Sequence, residues 1–289
     1  MSQSSDAQES DNVYFVDHES GAEMVRLLDQ DRLFTEAVGG LLPELPDLSG
    51  INRILDVACG PGGWALDLAA AYPEKEVIGF DISHAMIEYA RSQAQIRMLD
   101  NAHFEIMDIL EPLDFPDQSF DLVNARWIAF LPKDKWFQFI RECVRITRPG
   151  GIIRLSENEQ SVSTSAGIEK LQLMFTRSLY KAGQSFSPTG ERLGIVPMLR
   201  RFLHDAGCQN VHNVAYAIDY SAGTPIHTGL YHDWKVAYPL LQPFFLKMGV
   251  ATEAEIDEAY GQMLSEMLED DFCGIYFLIT TLGQRPVSF

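Results

Sequence analysis

The chain has 289 residues, of which 46% are hydrophobic, and a formal charge of −19. That length serves one large domain or two smaller ones, and the apolar share is enough for a full core. The acidic balance repels phosphate backbones and anionic lipid, which argues against nucleic acid and membrane as partners, and no apolar run approaches the ~20 residues of a membrane span.

The first residues, MSQSSDAQESDN, are polar and acidic and lack the basic start and apolar stretch of a signal peptide, so residues 1–12 are expected to be a disordered tail. Four scattered cysteines (Cys59, Cys143, Cys208, Cys273) form no CxxC pair. That spacing speaks against a disulfide framework or a zinc site, and predicts buried filler in a reducing cytoplasm. Two acidic runs, at 1–20 and 251–271, contain no Lys or Arg and read as solvated faces.

A first helix is predicted over about 20–38, with Ser20 and Glu23 as a capping box and Met24, Leu27, Leu28 and Phe34 near one face. From residue 53 strand and helix alternate, the signature of a parallel α/β sheet. ILDVA (54–58) reads as a strand, 63–72 as a helix and EVIGFD (76–81) as the second strand. Ser83 caps a helix running to about Met98. HFEIMD (103–108) and FDLVNA (120–125) read as the next strands. Pro132 is expected to open a helix carrying Trp136, Phe137, Ile140, Cys143 and Val144, ended by Arg148-Pro-Gly-Gly151, and GIIRLSE (151–157) is the fifth strand. Helices are predicted near 165–182 and 193–206, and strands at 211–220 and 272–283. About fifty residues, 221–271, separate the last two strands, where a hairpin needs ~2–5. They are expected to have structure of their own, ending in a helix with a Thr252/Glu255 capping box and an apolar stripe of Ile256, Ala259, Tyr260, Met263, Leu264 and Met267. That stripe either packs on the sheet or forms the inner wall of a lid.

The chemistry concentrates at ILDVACGPGGWALDLA (54–69). Gly60-Pro-Gly62-Gly63-Trp-Ala65 satisfies the loose pattern GxGxx[GA], and Asp81 follows Gly62 by nineteen residues. On those facts alone a dinucleotide is an option. Asp56, four residues before Gly60, weighs against a pyrophosphate and in favour of a cationic ligand.

ILDVACGPGG resembles motif I of the class I S-adenosylmethionine-dependent methyltransferases, roughly [VIL]LDxGCGxG. Further segments resemble that family in order: EVIGFDIS, FEIMDI, FPDQSFDLV and TRPGGIIRLSE, with AGCQNV and the last strand fitting its ending. The likeness spans about 50–220 and 272–283. Ala58 stands where the family often has glycine, and being small it is expected to fit. The resemblance implies a doubly wound, seven-stranded, mostly parallel sheet of α/β class whose last strand is antiparallel. It also implies S-adenosyl-L-methionine as cofactor. Gly60 and Gly62 would line its methionine portion, with Asp56 and Ala58 nearby. Asp81 would hold the ribose, Asp108 the adenine amino group, and Ile82, Met86 and Ile109 the adenine ring. Asn124 and Arg126, at the close of the fourth strand, would contact the amino-acid end; Arg126 could instead bind a substrate anion or make a surface ion pair. Trp127 and Phe130 would face the reacting methyl or else pack in the core.

Methyl transfer from a sulfonium needs alignment, exclusion of water and a route for a proton, so no fixed triad is expected. Tyr14 and His18 precede the first helix and are candidates to fold over the cofactor. TPIHTGLYHDWKVAY (224–238) is dense in His227, Tyr231, His232, Trp234 and Tyr238. His232 and His227 are the candidate bases, with Tyr231 and Trp234 toward the substrate; ordinary packing is the alternative for each. A spacing of five between the histidines argues against a shared metal. The aromatic density implies an apolar or aromatic pocket.

The expected organisation is a tail (1–12), an N-terminal helical cap segment (13–45), a cofactor-binding core (46–160), a cap insertion (161–190), core again (191–220), a cap and substrate insertion (221–271) and core to the end (272–289). The expected activity is cytoplasmic methyl transfer to a small molecule. Rivals are a cofactor-binding cyclase or rearrangement enzyme of the same fold, a nicotinamide oxidoreductase, and a non-catalytic binding protein. The oligomeric state is open, a homodimer being one option.

Overall fold

The computed structural model describes residues 14–17 and 19–287; the tail expected at 1–12 and the role expected of His18 fall outside them. The chain opens with α1 (Gly21–Ala37), then β1 (Arg53–Val57), α2 (Gly63–Ala71), β2 (Glu76–Asp81), α3 (His84–Ile96), β3 (Ala102–Ile106) and β4 (Phe120–Arg126). It continues through α4 (Trp136–Ile146), β5 (Thr147–Asn158), β6 (Val162–Ser163), α5 (Ala166–Lys181), α6 (Val196–Asp205) and β7 (Gln209–Asp219). It closes with α7 (His227–Met248), α8 (Glu253–Glu266) and β8 (Gly274–Gln284).

Among the described residues one sheet holds eight strands, in the order β3-β2-β1-β4-β5-β8-β6, with β7 also paired to β8. β1 to β5 are parallel, and β8 runs antiparallel to both β5 and β7. This is the doubly wound arrangement that the resemblance implies, with the late strand inserted antiparallel and one strand more than the seven expected. β1 and β2 are apolar on both faces because helices cover both sides. One core lies under α2 and α3 around Trp64, Leu66 and Ile87. The larger core lies under α4 and α6 and continues into the cap.

The extra strand, β6, is two residues that prolong β5 along β8. Asn158 faces Leu278 and Val162 faces Ile275, so four steps on one side match three on the other. That surplus residue bulges the chain at Glu159–Ser161 and turns it toward the cavity described below.

The helix expected from Pro132 begins later. Pro132 sits in a turn whose carbonyl accepts from Lys135 N, and α4 starts at Trp136. The segment from Thr147, expected only to end that helix, already pairs as the start of β5. Glu23 does not complete a capping box: Ser20 accepts from Glu23 N, but the Glu23 side chain turns inward and is fully buried. The Thr252/Glu255 box is formed in full. Three cysteines are at least half-buried, but Cys273 is exposed, against the expectation of filler.

α1, α5, α7 and α8 pack on one another as a helical cap over the carboxyl ends of the strands. α5 meets α8 at Gly167, where a Cβ would stand 2.3 Å from Met263 N. The stripe of α8 is spent on this helix packing, and none of its residues lines the cavity, so it is neither a sheet contact nor a lid's inner wall. α7 is a helix the sequence reading did not expect; Pro239 and Pro243 lie inside it, and proline removes a donor and crowds the preceding turn. The carbonyl that Pro239 leaves without its helical partner is that of Lys235, and Tyr260 Oη on α8 donates to it at 2.8 Å. Among the described residues no helix is long and apolar enough to cross a membrane.

Candidate active site

A cavity of roughly 310 Å³ lies between the strand ends and the cap. It sits where β1 and β4 part company in chain order, the place where open α/β sheets hold ligands, and is within the size of small-molecule sites.

At its floor β1 delivers Asp56, 3% exposed. Asn124 Nδ2 donates to Asp56 Oδ1 at 2.8 Å, and Arg154 Nη1 donates to Asn124 Oδ1 at 2.8 Å. Asn124 itself does not line the cavity; it is a buried brace beneath Asp56, where sequence analysis had it touching the cofactor. Burial pushes Asp56 up to about 6, opposed by the Arg126 charge and the Asn124 hydrogen bond.

The turn after β1 is left-handed at Ala58 (φ 51°), Gly60 (54°) and Gly62 (77°). Ala58 therefore fits in size but not in conformation, since a Cβ disfavours this region. Gly60 lines the cavity and Gly62 does not. A Cβ on Gly62 would stand 2.7 Å from Phe104 Cε1 and 2.9 Å from Ala90 Cβ, so its absence lets α2 settle on the sheet. Asp81 Oδ2 accepts from Gly60 N at 2.9 Å and its Oδ1 from Ser83 N at 3.0 Å, which fixes the carboxylate at the cavity edge. Ile82, Met86, Asp108 and Ile109 line the same wall. Glu19 reaches across to accept from Ser83 Oγ, His84 N and Ala85 N, pinning the segment before α1 to the start of α3.

Arg126 lies between the two ends of the cavity. It pairs with Asp31 at 2.6 Å, with the two side chains 14% and 13% exposed, so the pair is not a surface one. Its guanidinium sits over Trp64 (5.4 Å) and Trp127 (5.1 Å). Trp127 is left-handed too (φ 53°), held there by its N–H bond to Ser156 O.

The cap side is aromatic. Tyr14, Trp127, Phe130 and Trp234 line it, joined by Phe15, Phe175, Tyr238 and Tyr276. Tyr14 meets Phe130 edge-on at 5.2 Å. His227, Tyr231 and His232 do not line it. His227 Nδ1 is 2.9 Å from Tyr220 O, two turns before Trp234, and its ring leans on Phe272. His232 projects from the side of α7 away from Trp234 and Tyr238 and packs on Tyr231. The bases expected of these histidines are therefore not supplied to the cavity by this helix.

Residues 54–151 match the methyltransferase-domain family. The chain is 35% identical over 136 residues to 27-O-demethylrifamycin SV methyltransferase of Amycolatopsis mediterranei, covering 47% of each chain. It is 34% identical over 127 residues to demethylmenaquinone methyltransferase of Geobacillus kaustophilus, covering 44% of this chain and 53% of that one. It thus spans about half the length of these curated relatives. Among solved structures, phosphoethanolamine N-methyltransferase 2 of Haemonchus contortus, in complex with phosphomonomethylethanolamine and S-adenosylhomocysteine, superposes with a TM-score of 0.58. That likeness has 14% identity over 95% of this chain and 61% of that one, and is one of fold.

Two groups at the cavity escaped sequence reasoning. The first is a buried network on the cap: Tyr14 Oη donates to Glu23 at 2.8 Å, Arg26 donates twice to Glu23 at 2.7 Å, and Arg26 Nη1 to Asp233 at 2.9 Å. Gln30 reaches Asp233 as well. The second is Glu157, 1% exposed, at the end of β5. Its Oε1 accepts from Ile128 N at 2.6 Å, and its Oε2 is buried without a hydrogen-bond partner. The one available signal for Glu157 was an acid closing an apolar parallel strand in GIIRLSE. Glu23 had none, because a capping box explains the same letters.

Proposed function

We propose that this chain transfers a methyl group from S-adenosylmethionine to a small, apolar or aromatic molecule. The observation that carries the reading is what the glycine turn does with its N–H groups. Gly60 N is given to Asp81 and Gly62 N to Cys59 O, so the turn is not an anion cradle of the dinucleotide kind. Around it stand Asp56, Asp81 and Asp108, a set suited to a ligand with a sulfonium, an ammonium, ribose hydroxyls and an adenine amino group. When bound, that cofactor supplies a methyl carbon on a sulfonium, whose sulfur keeps the electron pair of the broken bond. The chain's own part is to hold Asp56 and Asp81 in place, to close the aromatic cap against water and to align the acceptor. The two curated relatives named above act on small molecules by name, which supports a small acceptor here.

The test is the thermal midpoint of the purified protein with S-adenosylmethionine, S-adenosylhomocysteine, NADH and NADPH in parallel. A ligand of the folded state raises it. A rise with the two sulfur compounds alone is expected; a rise with the nicotinamides instead overturns the reading.

A further inference from the structure

The cap side of the cavity has more carboxyl groups than cations. Glu23, Asp233, Glu157 and Glu159 line it with Arg26, while the cavity's other guanidinium, Arg126, is spent on Asp31. Arg26 is already engaged by Glu23 and Asp233. Glu159 accepts from the N–H groups of Leu193 and Gly194. Glu157 is different, since only one of its oxygens is used. Around these groups stand the faces of Phe15, Phe130, Phe175, Trp234 and Tyr238. Aromatic walls with uncompensated carboxyls suit one kind of head group. An anion meets further acids, a neutral hydroxyl gives the carboxyls one hydrogen bond and the rings nothing, and an ammonium answers both the rings and the carboxyls.

We infer that the methyl acceptor is an amine on an apolar body, and that Glu157 binds its nitrogen and takes its proton. The inference rests on the methyltransferase reading of the same cavity. An ammonium has no lone pair to attack with. As the ammonium binds, Glu157 gives its own proton to solvent; the N–H bond then breaks toward the resulting carboxylate, the nitrogen keeps the pair and becomes the nucleophile, and the proton now on Glu157 leaves to water after product release. Burial pushes Glu157 up to about 8, opposed by the N–H groups of Ile128 and Ala129 and reinforced by Glu159, which brings it nearer to an amine than an ordinary carboxyl. The other titratable groups toward it are Tyr276 on β8 and, across the cavity, Tyr238, Asp233 and the Glu23–Arg26 pair. Burial raises both tyrosines, so they stay protonated near neutrality.

The experiment is calorimetry on the full chain saturated with S-adenosylhomocysteine, at about pH 7, in two buffers of different ionisation enthalpy. Two head-group series serve as probes: tryptamine, tryptophol and indole-3-acetate; octylamine, octanol and octanoate. The amine of at least one series is expected to bind about tenfold more tightly than its alcohol, with no heat from the acid and with a proton released to buffer. In Glu157→Gln the amide oxygen must stay on Ile128 N–H, leaving an NH₂ where an acceptor was. That variant is expected to lose both the amine preference and the proton release while keeping its affinity for S-adenosylhomocysteine. An acid that binds as well as its amine overturns the inference. So does the lack of amine preference in both series, or an unchanged preference in Glu157→Gln. If the variant does not fold, absence of proton release by the wild type overturns it alone. Failure of S-adenosylhomocysteine to bind the wild type is a separate result, and sinks the methyltransferase reading instead.

Discussion

Ala58 holds a methyl side chain at φ 51°, beside the most ligand-like turn in the chain. Left-handed backbone costs an L-residue about 1–2 kcal/mol, and glycine's extra freedom in the unfolded chain returns about 0.4–1 kcal/mol of that. Ala58→Gly should therefore stabilise the protein by about 0.5–1 kcal/mol in urea unfolding; a loss of stability would show that the turn is relaxed as it stands. Asp81 is a second residue with a clear consequence. Its carboxylate is held by two backbone N–H groups, so it is ordered before any ligand arrives. Asp81→Ala should weaken S-adenosylhomocysteine binding by about tenfold or more, as expected for hydrogen bonds to a charged group. Calorimetry checks this, and unchanged affinity would remove Asp81 from the site. Both residues were legible in sequence because their neighbours in the chain are also their neighbours in space. Asn124 and Gly62 stand one layer behind the cavity lining, which a motif does not reveal, because it names the residues near a ligand without saying which of them stand behind others.

At the scale of elements, α7 is the instructive case. Two prolines broke its pattern, yet the helix runs on for 22 residues because a neighbouring helix supplies what proline removes. Tyr260→Phe should cost about 0.5–1.5 kcal/mol, and much less in a Pro239→Ala background, where the helix's own N–H returns to the Lys235 carbonyl. Equal costs in both backgrounds in a double-mutant cycle would mean that Tyr260 acts through packing alone. The rotation of α7 then decides which of its residues matter: Trp234, Tyr238 and Leu241 face the cavity, and the histidines do not. The strands were read closely from their apolar runs, but β6 is too short to leave a pattern, and it is the bulge before it that brings Glu159 inward.

Across the whole molecule, Arg26 joins α1 to α7 over 207 positions of sequence. Removing it leaves Glu23 and Asp233 buried without a cation, so Arg26→Met should destabilise by about 3–5 kcal/mol in chemical denaturation. A cost under ~1 kcal/mol would mean that water reaches the pair. Glu157 links the site to stability through pH. Its folded pKa, pushed up to about 8 by burial, lies above the ~4.3 of an unfolded glutamate. The folded state therefore binds more protons between those values, and stability falls as pH rises from about 4.3 to about 8. Glu157→Gln removes that dependence, so its stability relative to wild type should improve steadily over that range; a pH-independent difference would show that Glu157 titrates as an exposed acid.

The sequence alone determined the alternation of strand and helix, the glycine turn and the acids Asp56 and Asp81. Each depends on periodicity or on residues a few positions apart, and such rules act locally. The tertiary structure decided which of those residues line the cavity, that the histidines do not, and that Glu23, Arg26, Asp233 and Glu157 do. Those outcomes depend on burial and on ion pairing between distant segments, and charge in a low-dielectric interior is set by what packs around it.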